Sequence, residues 1–470
     1  MHARLALVLI ALGACGSSSS SQPPRLISEE EIARYEKQVM DRLEASKVMT
    51  CKRPVLRGEP LPGPAAPDMM LLTEPTGSLA TCLTSLETFA KNLDMKKEVE
   101  ARTPALLEIE KTCGAEIEAA LARAVSHEDS CSPYRSGARA DLEVLMPRLR
   151  LAHFLGLRAR VLAGSGDGVK ALWLLLDGIQ LFQDLARGRV TLISSMVHTA
   201  SVGILLQHIE ALLDAVALAK PDVDALADAV DKLLASEPPF SDVLEGERDF
   251  LDLTYALAPL KPEGWVPPGG WQGGKAPPRG SADGTKPMMN ARDESAIMFL
   301  VSEEIAKETV AACPPGASYR VCSRGFKELS SRPATPNTDD IEKLYSDLVK
   351  STATQSLSPE QARLQIRSTI VQILKSIATP SFARYPEKRA QAVVALTALR
   401  LHLQVLRHQH FHGTCPDKDD FARPPFPALA NPPVLGDPVG IAVVADGYEV
   451  TPPIWTEVRD RAWRIRCQAR

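Results

Sequence analysis

Aromatic residues make up only 5% of the 470, and neither sign of charge dominates: 54 Lys and Arg stand against 58 Asp and Glu, a net charge of −4. So even a balance carries no electrostatic footprint for nucleic acid or an acidic membrane surface. No apolar run reaches the roughly 20 uninterrupted residues of a membrane-spanning helix. The spacings of familiar chemistry are missing too. There is no Cys-x-x-Cys for a structural zinc, no Gly-x-Ser-x-Gly for a serine nucleophile and no His-Glu-x-x-His for a catalytic zinc. What remains is rich in Leu and Ala, a composition suited to helices.

The chain opens on a short positive region, Met1-His2-Ala3-Arg4, then runs from Leu5 to Leu12 without a polar residue. Eight apolar residues fit the apolar region of a secretory signal. Leu12-Gly13-Ala14-Cys15 resembles a bacterial lipobox, with small residues at 13 and 14 suiting a peptidase that needs narrow side chains beside its cut. The resemblance implies removal of residues 1–14 and diacylation of the Cys15 thiol, since two chains anchor stably where one holds only marginally. Residues 15–27 then form a lipidated tether, with Gly16 to Ser21 a flexible polar spacer and Gln22-Pro23-Pro24 a stiffer end. Gly16 rather than Asp after the cysteine implies, by the same resemblance, the outer membrane, with the body facing the periplasm or the cell surface. Without residues 1–14 the chain has 456 residues and, having lost Arg4, a net charge of −5. That is enough for about three average domains.

Eight cysteines remain beyond Cys15: Cys51, Cys82, Cys113, Cys131, Cys313, Cys322, Cys415 and Cys467. An even number behind an export signal points to disulfides, although eight allow about 105 pairings. Nearness in sequence favours 51 with 82, 113 with 131, 313 with 322 and 415 with 467.

Helical patterning dominates the rest. Ser28 with Glu31 forms a capping box for a helix to about Val48. Residues 53–68 hold five prolines and read as loop. Helices are expected from Thr103-Pro104, over 137–163 with a bend at Pro147, and over 168–187, 190–219, 222–235 and 241–258, with Gly188 and Pro221 as stops. The segment 190–219 is the most apolar. Gln207, Glu210, Asp214 and two histidines interrupt it, so it reads as a core helix rather than a membrane span. Residues 261–287 are too rich in Pro and Gly to pack and read as a linker or long loop between a helical body, 28–260, and a second part, 288–470. Helices return at 291–312, 338–351, 359–378 and 387–410. At the end, two β-prone runs flank Asp446-Gly447, a hairpin signal, and Trp463, Ile465 and Cys467 alternate with arginines as a third strand. The expected fold is therefore mainly α, stacked antiparallel helical hairpins closed by a small C-terminal antiparallel β cap.

The stretch 158–197 with "LEGERDFLDL" resembles a broad set of exported helical proteins of environmental bacteria, whose hairpins pack in the tetratricopeptide manner. Residues 387–451 are similar to the tail of the same set, which in turn resembles the globular end of pseudopilins, without the apolar N-terminal helix that defines those. These resemblances imply a fold and no activity.

Candidate chemistry is sparse. Gly269 to Ala276 nearly spells a phosphate-binding loop, but Ala276 stands where Ser or Thr must hold magnesium, and Pro277-Pro278 follows in place of a helix. His402, His408, His410, His412 and Cys415 form the densest cluster of metal-type donors. They also read as a helix end, with Gly413 the stop and Pro416 barring continuation. His198 and His208 on one helix, with Glu245 and Glu247 on a later one, are the only acid–base pairing in view. Asp224, Asp228 and Asp231 read as a solvated face. The sequence thus calls for no metal and no cofactor and leaves enzyme activity undecided. The favoured expectation is a membrane-anchored structural or protein-binding scaffold, held by lipid at Cys15 and offering a helical groove to a protein or peptide. The alternatives are a hydrolase with a site among the central helices and an accessory part of a secretion or pilus-like machine.

Overall fold

The computed structural model describes residues 28–47, 49–82, 104–133, 142–257, 291–330, 384–456 and 462–466, together with positions 84, 260, 361, 364, 365 and 368. It begins with the capping box expected of Ser28. The Ser28 hydroxyl accepts from the Glu31 N–H at 3.2 Å, and the Glu31 carboxylate accepts from the Ser28 N–H at 3.0 Å. These bonds satisfy two donors that a helix start leaves open and launch α1, Glu29–Lys47. Ile32, Tyr35, Val39 and Leu43 form its buried stripe.

The proline-rich stretch is not all loop. Leu61–Pro64 forms β1, and Ala66–Thr73 forms α2. After α3, Pro104–Val125, the short strand β2, His127–Asp129, runs parallel to β1. Prolines are tolerated because a two-stranded pair is all edge, leaving one side of each strand without a ladder partner.

This pairing decides the disulfides. Lys52 bridges Asp129, and the Ser130 N–H donates to the Cys51 carbonyl at 3.1 Å, so Cys51 and Cys131 stand side by side and are bonded. Cys82 bonds Cys113 instead, from a helical turn held along α3 by a hydrogen bond from Ser78 to Glu116 at 3.0 Å. The nearest-neighbour pairings 51–82 and 113–131 are therefore replaced by a nested pair. Nearness in sequence was a poor guide because β1 and β2 join segments some 65 residues apart. Cys313 bonds Cys322, as expected of so short a separation. Cys415 is also disulfide-bonded, whereas its expected partner Cys467 lies outside the described residues. Such pairing belongs to an oxidising, extracytoplasmic location.

The centre is a bundle of α4, Leu142–Gly164, α5, Gly168–Leu185, and α6, Leu192–Leu213, each packed on the other two. Helix α5 is buried on nearly every side, and Asp177, Gln180, Gln183 and Asp184 are buried along with its apolar residues. Gly188, at φ 85°, takes the left-handed turn that separates α5 from α6. Helix α6 ends at Leu213, ahead of the stop expected at Pro221, and α7, Lys220–Ala235, carries Pro221 in its first turn, where proline is suited. Helix α8, Phe240–Leu251, passes into a π-helical turn, Asp252–Leu257, and α9, Ala291–Ala312, packs on both. Residues 261–287 and the expected helix 338–351 lie outside the described residues, as does most of 359–378.

After α10, Tyr319–Ser330, the 28-residue α11, Tyr385–His412, packs on α6, α7 and α10. Residues on both sides of the Pro/Gly-rich stretch thus share one apolar core. Two short helices follow, α12, Lys418–Phe421, and α13, Phe426–Leu429. The chain closes with β3, Gly440–Val444, β4, Gly447–Thr451, and β5, Trp463–Arg466, in an antiparallel sheet of that order. Along β5, Trp463 and Ile465 are buried and Arg464 and Arg466 exposed, the alternation the sequence displays. The fold is mainly α, packed hairpins with a small β cap.

Candidate functional site

Helices α6 and α11 run parallel. Near their starts Ser195 hydrogen-bonds Tyr385, and further along Ile209 and Leu213 converge with Leu399 and Leu403. Between the α6 face carrying Met196, Ala200 and Gly203 and the α11 face carrying Gln391, Ala392 and Ala395 lies a groove of about 540 Å³, closed on a third side by Val450, Pro452 and Trp463 of the sheet. Small residues on both helices keep it open. A Cβ added at Gly203 would meet nothing within 4 Å.

The groove is mostly apolar, with a few polar groups. The Gln391 Nε2 and the Trp463 Nε1 are buried and have no hydrogen-bond partner among the described residues. Trp463 is only 6% exposed. Both atoms are shut off from the open space of the groove, and other buried polar atoms of the protein are unmatched in the same way. Lys388, exposed, stands at one end and Glu210, half-buried, at the other.

Beneath the groove runs a buried polar seam. Thr199 Oγ1 donates to the Ser195 carbonyl at 2.9 Å, and the Ser195 hydroxyl meets the Tyr385 hydroxyl. Arg389 is paired with Glu237 and donates to the Pro238 carbonyl at 2.8 Å, while Tyr319 donates to Glu237 at 2.9 Å. Burial pushes the Tyr385 phenol up, so it stays a neutral partner for Ser195 rather than a base. Among the described residues, Ser195 has no imidazole or carboxylate within hydrogen-bond reach in this seam. The arrangement fixes α11 against α6 and supplies no activated nucleophile.

The histidine–glutamate pairing is not assembled. His198 Nε2 faces the Arg148 guanidinium at 3.0 Å and must accept from it, leaving the proton on Nδ1. Burial, then the Arg148 charge, holds this imidazole well below its usual range and therefore neutral. His208 accepts from Arg160 at 3.1 Å and is lowered to about 4 by burial and then by that charge. Glu245 pairs with Arg189 at 2.7 Å. Glu247 accepts the Leu192 N–H at 2.9 Å, satisfying an open donor at the start of α6, and burial pushes its carboxyl up to about 7. The four groups answer to four different partners.

The cluster at the end of α11 is a helix end. Gly413 takes φ 73° as the cap, and its N–H donates to the Gln409 carbonyl at 2.9 Å. His402 is buried inside the helix packing and lowered by burial to about 4. His408 stacks on His412 with ring centres 4.3 Å apart, His410 bonds the Leu218 carbonyl at 3.1 Å, and Cys415 is held in a disulfide. Among the described residues no group of three donors converges on a point that could hold a metal ion.

The aspartates of α7 lie on a largely solvated face, Asp228 and Asp231 exposed and Asp224 half-buried, and two of them also reach α11. Asp224 receives Arg407 at 2.6 Å and Asp231 receives Arg400 at 2.6 Å, so this face clips onto α11. Their partners lie 183 and 169 residues away in sequence, beyond the reach of any local pattern. Cys15 and the glycine-rich stretch 269–276 lie outside the described residues. The groove itself is what sequence reasoning missed. The available signal was the spacing of small residues, Ala200 with Gly203 and Ala392 with Ala395. Compared with protein families, with curated proteins and with solved structures, the chain matches none.

Proposed function

We propose that the protein is an exported, lipid-tethered binding protein and that the groove between α6, α11 and the sheet is its binding surface. The groove carries this reading. Its volume falls within the roughly 300–1,000 Å³ of ligand sites, and it has their character, an apolar lining with a few placed polar groups. The seam below supports the reading from another side, because it locks the two helical walls in place so that the groove is ready before anything binds. The lipobox-like Leu12–Cys15 supports anchoring at Cys15, in keeping with an extracytoplasmic protein. Two measurements test the reading. Cys15→Ser should move the exported protein from the membrane to the soluble fraction, and retention on membranes would sink the tether. Affinity capture from native membranes should retain a species with wild type that Gly203→Leu, with its groove filled, does not. Identical retained sets would sink the groove as the binding surface.

A further inference from the structure

The C-terminal sheet has an unguarded edge. Strand β3 pairs with β4 on one side, and among the described residues nothing pairs with its other side. Edge strands are ordinarily blunted by a charge, a proline or a bulge. Gly440-Ile441-Ala442-Val443-Val444 has no charge and no proline, and its register with β4 runs without a break. The two-residue turn at Ala445-Asp446 makes Val444 and Gly447 a hydrogen-bonded pair, so Gly440, Ala442 and Val444 direct their backbone groups at β4. Ile441 and Val443 direct theirs outward. The inner face of the sheet carries Tyr448, Val450, Trp463 and Ile465, all buried, and by register Ile441 and Val443 share it. Val443 is nonetheless 61% exposed. The apolar face thus runs on to the rim of the sheet, and nothing among the described residues overhangs it there.

We propose that β3 pairs antiparallel with β3 of a second copy of this chain, about a two-fold axis through Ala442, joining the two sheets into one. In that register Ile441 stands opposite the partner's Val443, and each such pair exchanges both of its backbone hydrogen bonds. Every residue of β3 then has an opposite number. Both faces of the sheet favour a second copy over a foreign strand. A foreign strand draws its specificity from pockets beside the edge, and the open surroundings of Val443 offer none. A second β3 brings an isoleucine to cover Val443 and carries its own apolar inner face in line. Glu449 and Arg464 of both copies stay together on the outer face. Ala442 at the axis is small enough to face itself, and no charge meets a like charge across the join. The contact is isologous, so it closes at two copies. Five residues a side make a small interface, of the weak and reversible class rather than the roughly 1,000 Å² and more of stable complexes. The pairing edge is separate from the sheet wall of the groove, which is built from Val450, Pro452 and Trp463.

Cross-linking and sedimentation of the purified full chain test the proposal. Ala442→Cys sets two thiols opposite each other on the axis, at a non-hydrogen-bonded pair with Cα atoms about 4.5 Å apart, and mild oxidation should yield a covalent dimer. Val444→Cys, whose two copies stand about 13 Å apart along the strands, should not. Sedimentation velocity over a rising concentration series should show wild type passing reversibly from monomer to dimer. Val443→Pro removes an outward N–H that β4 does not use. It should weaken the dimer roughly tenfold or more and leave the thermal midpoint unchanged. Val443→Lys should do the same by placing a charge at the join, so that the result does not depend on one variant folding well. A wild type that stays monomeric throughout would overturn the proposal. Equal cross-linking of the two cysteine variants would overturn it too, as would a dimer indifferent to both changes at Val443.

Discussion

Replacing Gly203 by Ala is expected to stabilise the protein, and replacing Gly246 by Ala to destabilise it, although both glycines lie inside helices. Gly203 is well within the 22-residue α6, where glycine is less favourable than alanine by about 0.8–1 kcal/mol. A Cβ there meets nothing within 4 Å, so no clash offsets the gain. At Gly246 in α8 the same Cβ would collide with the backbone of Arg189 and Val190, which cannot swing aside as a side-chain tip can. Forced overpacking costs about 1–3 kcal/mol, more than the helix gains. Thermal unfolding followed by circular dichroism should place Gly203→Ala about 1–3 °C above wild type and Gly246→Ala below it, on the scale of about 2–4 °C per kcal/mol for larger domains. A lowered midpoint for Gly203→Ala would refute the reasoning, because it would mean that the α6 wall is in contact with something and the groove is closed there.

Other expectations follow from the buried charges and the covalent links. Arg53 and Asp184 are both fully buried and joined through two nitrogens, so Arg53→Ala leaves Asp184 with only Gln180 and the more distant Arg187 and should cost about 3 kcal/mol, the low end for a broken buried pair, in urea denaturation; a loss under about 1 kcal/mol would contradict the pairing. Glu247 is raised from its ordinary value of 4.5 to about 7, so the folded state binds its proton more tightly than the unfolded state does. Stability at this site therefore falls as pH rises from about 4.5 to 7. Glu247→Gln keeps an acceptor for Leu192 without a charge and should exceed wild type by up to about 3 kcal/mol at pH 8 and match it below pH 4.5. A difference independent of pH would assign the effect to packing instead. Peptide mapping without reduction should recover 51–131, 82–113 and 313–322 as linked pairs, and recovery of 51–82 would contradict the strand pairing.

How much of this was legible in the sequence varied with the range of the interaction. The capping box at Ser28, the glycine stop at Gly413 and the alternation of Trp463 and Ile465 are written in residues within a few positions of one another, and each appears where the pattern placed it. The link between Cys313 and Cys322 is of the same short-range kind. Long-range features were not legible. Nothing local announces that the solvated Asp224 and Asp231 also pair with Arg407 and Arg400, and β1 was hidden in a proline-rich stretch that pairs with a strand far along the chain. The groove belongs to this second class. Its walls come from helices nearly 200 residues apart, and the unmatched donors on Gln391 and Trp463 are defined only by what fails to reach them.

The nested disulfides have a mechanical consequence. A force drawing on the chain from its N-terminal side enters through α1, reaches Cys51 and crosses directly to Cys131. The segment between them, including β1, α2, α3 and the inner link from Cys82 to Cys113, lies off the load path. In single-molecule stretching this link alone should therefore withhold about 270 Å of contour, from the 80-residue separation at roughly 3.4 Å per residue, beside the smaller share of the links further along. Reduction should restore that length. Strain applied through the N-terminus is thereby delivered past the first part of the body and borne by the helices that form the groove.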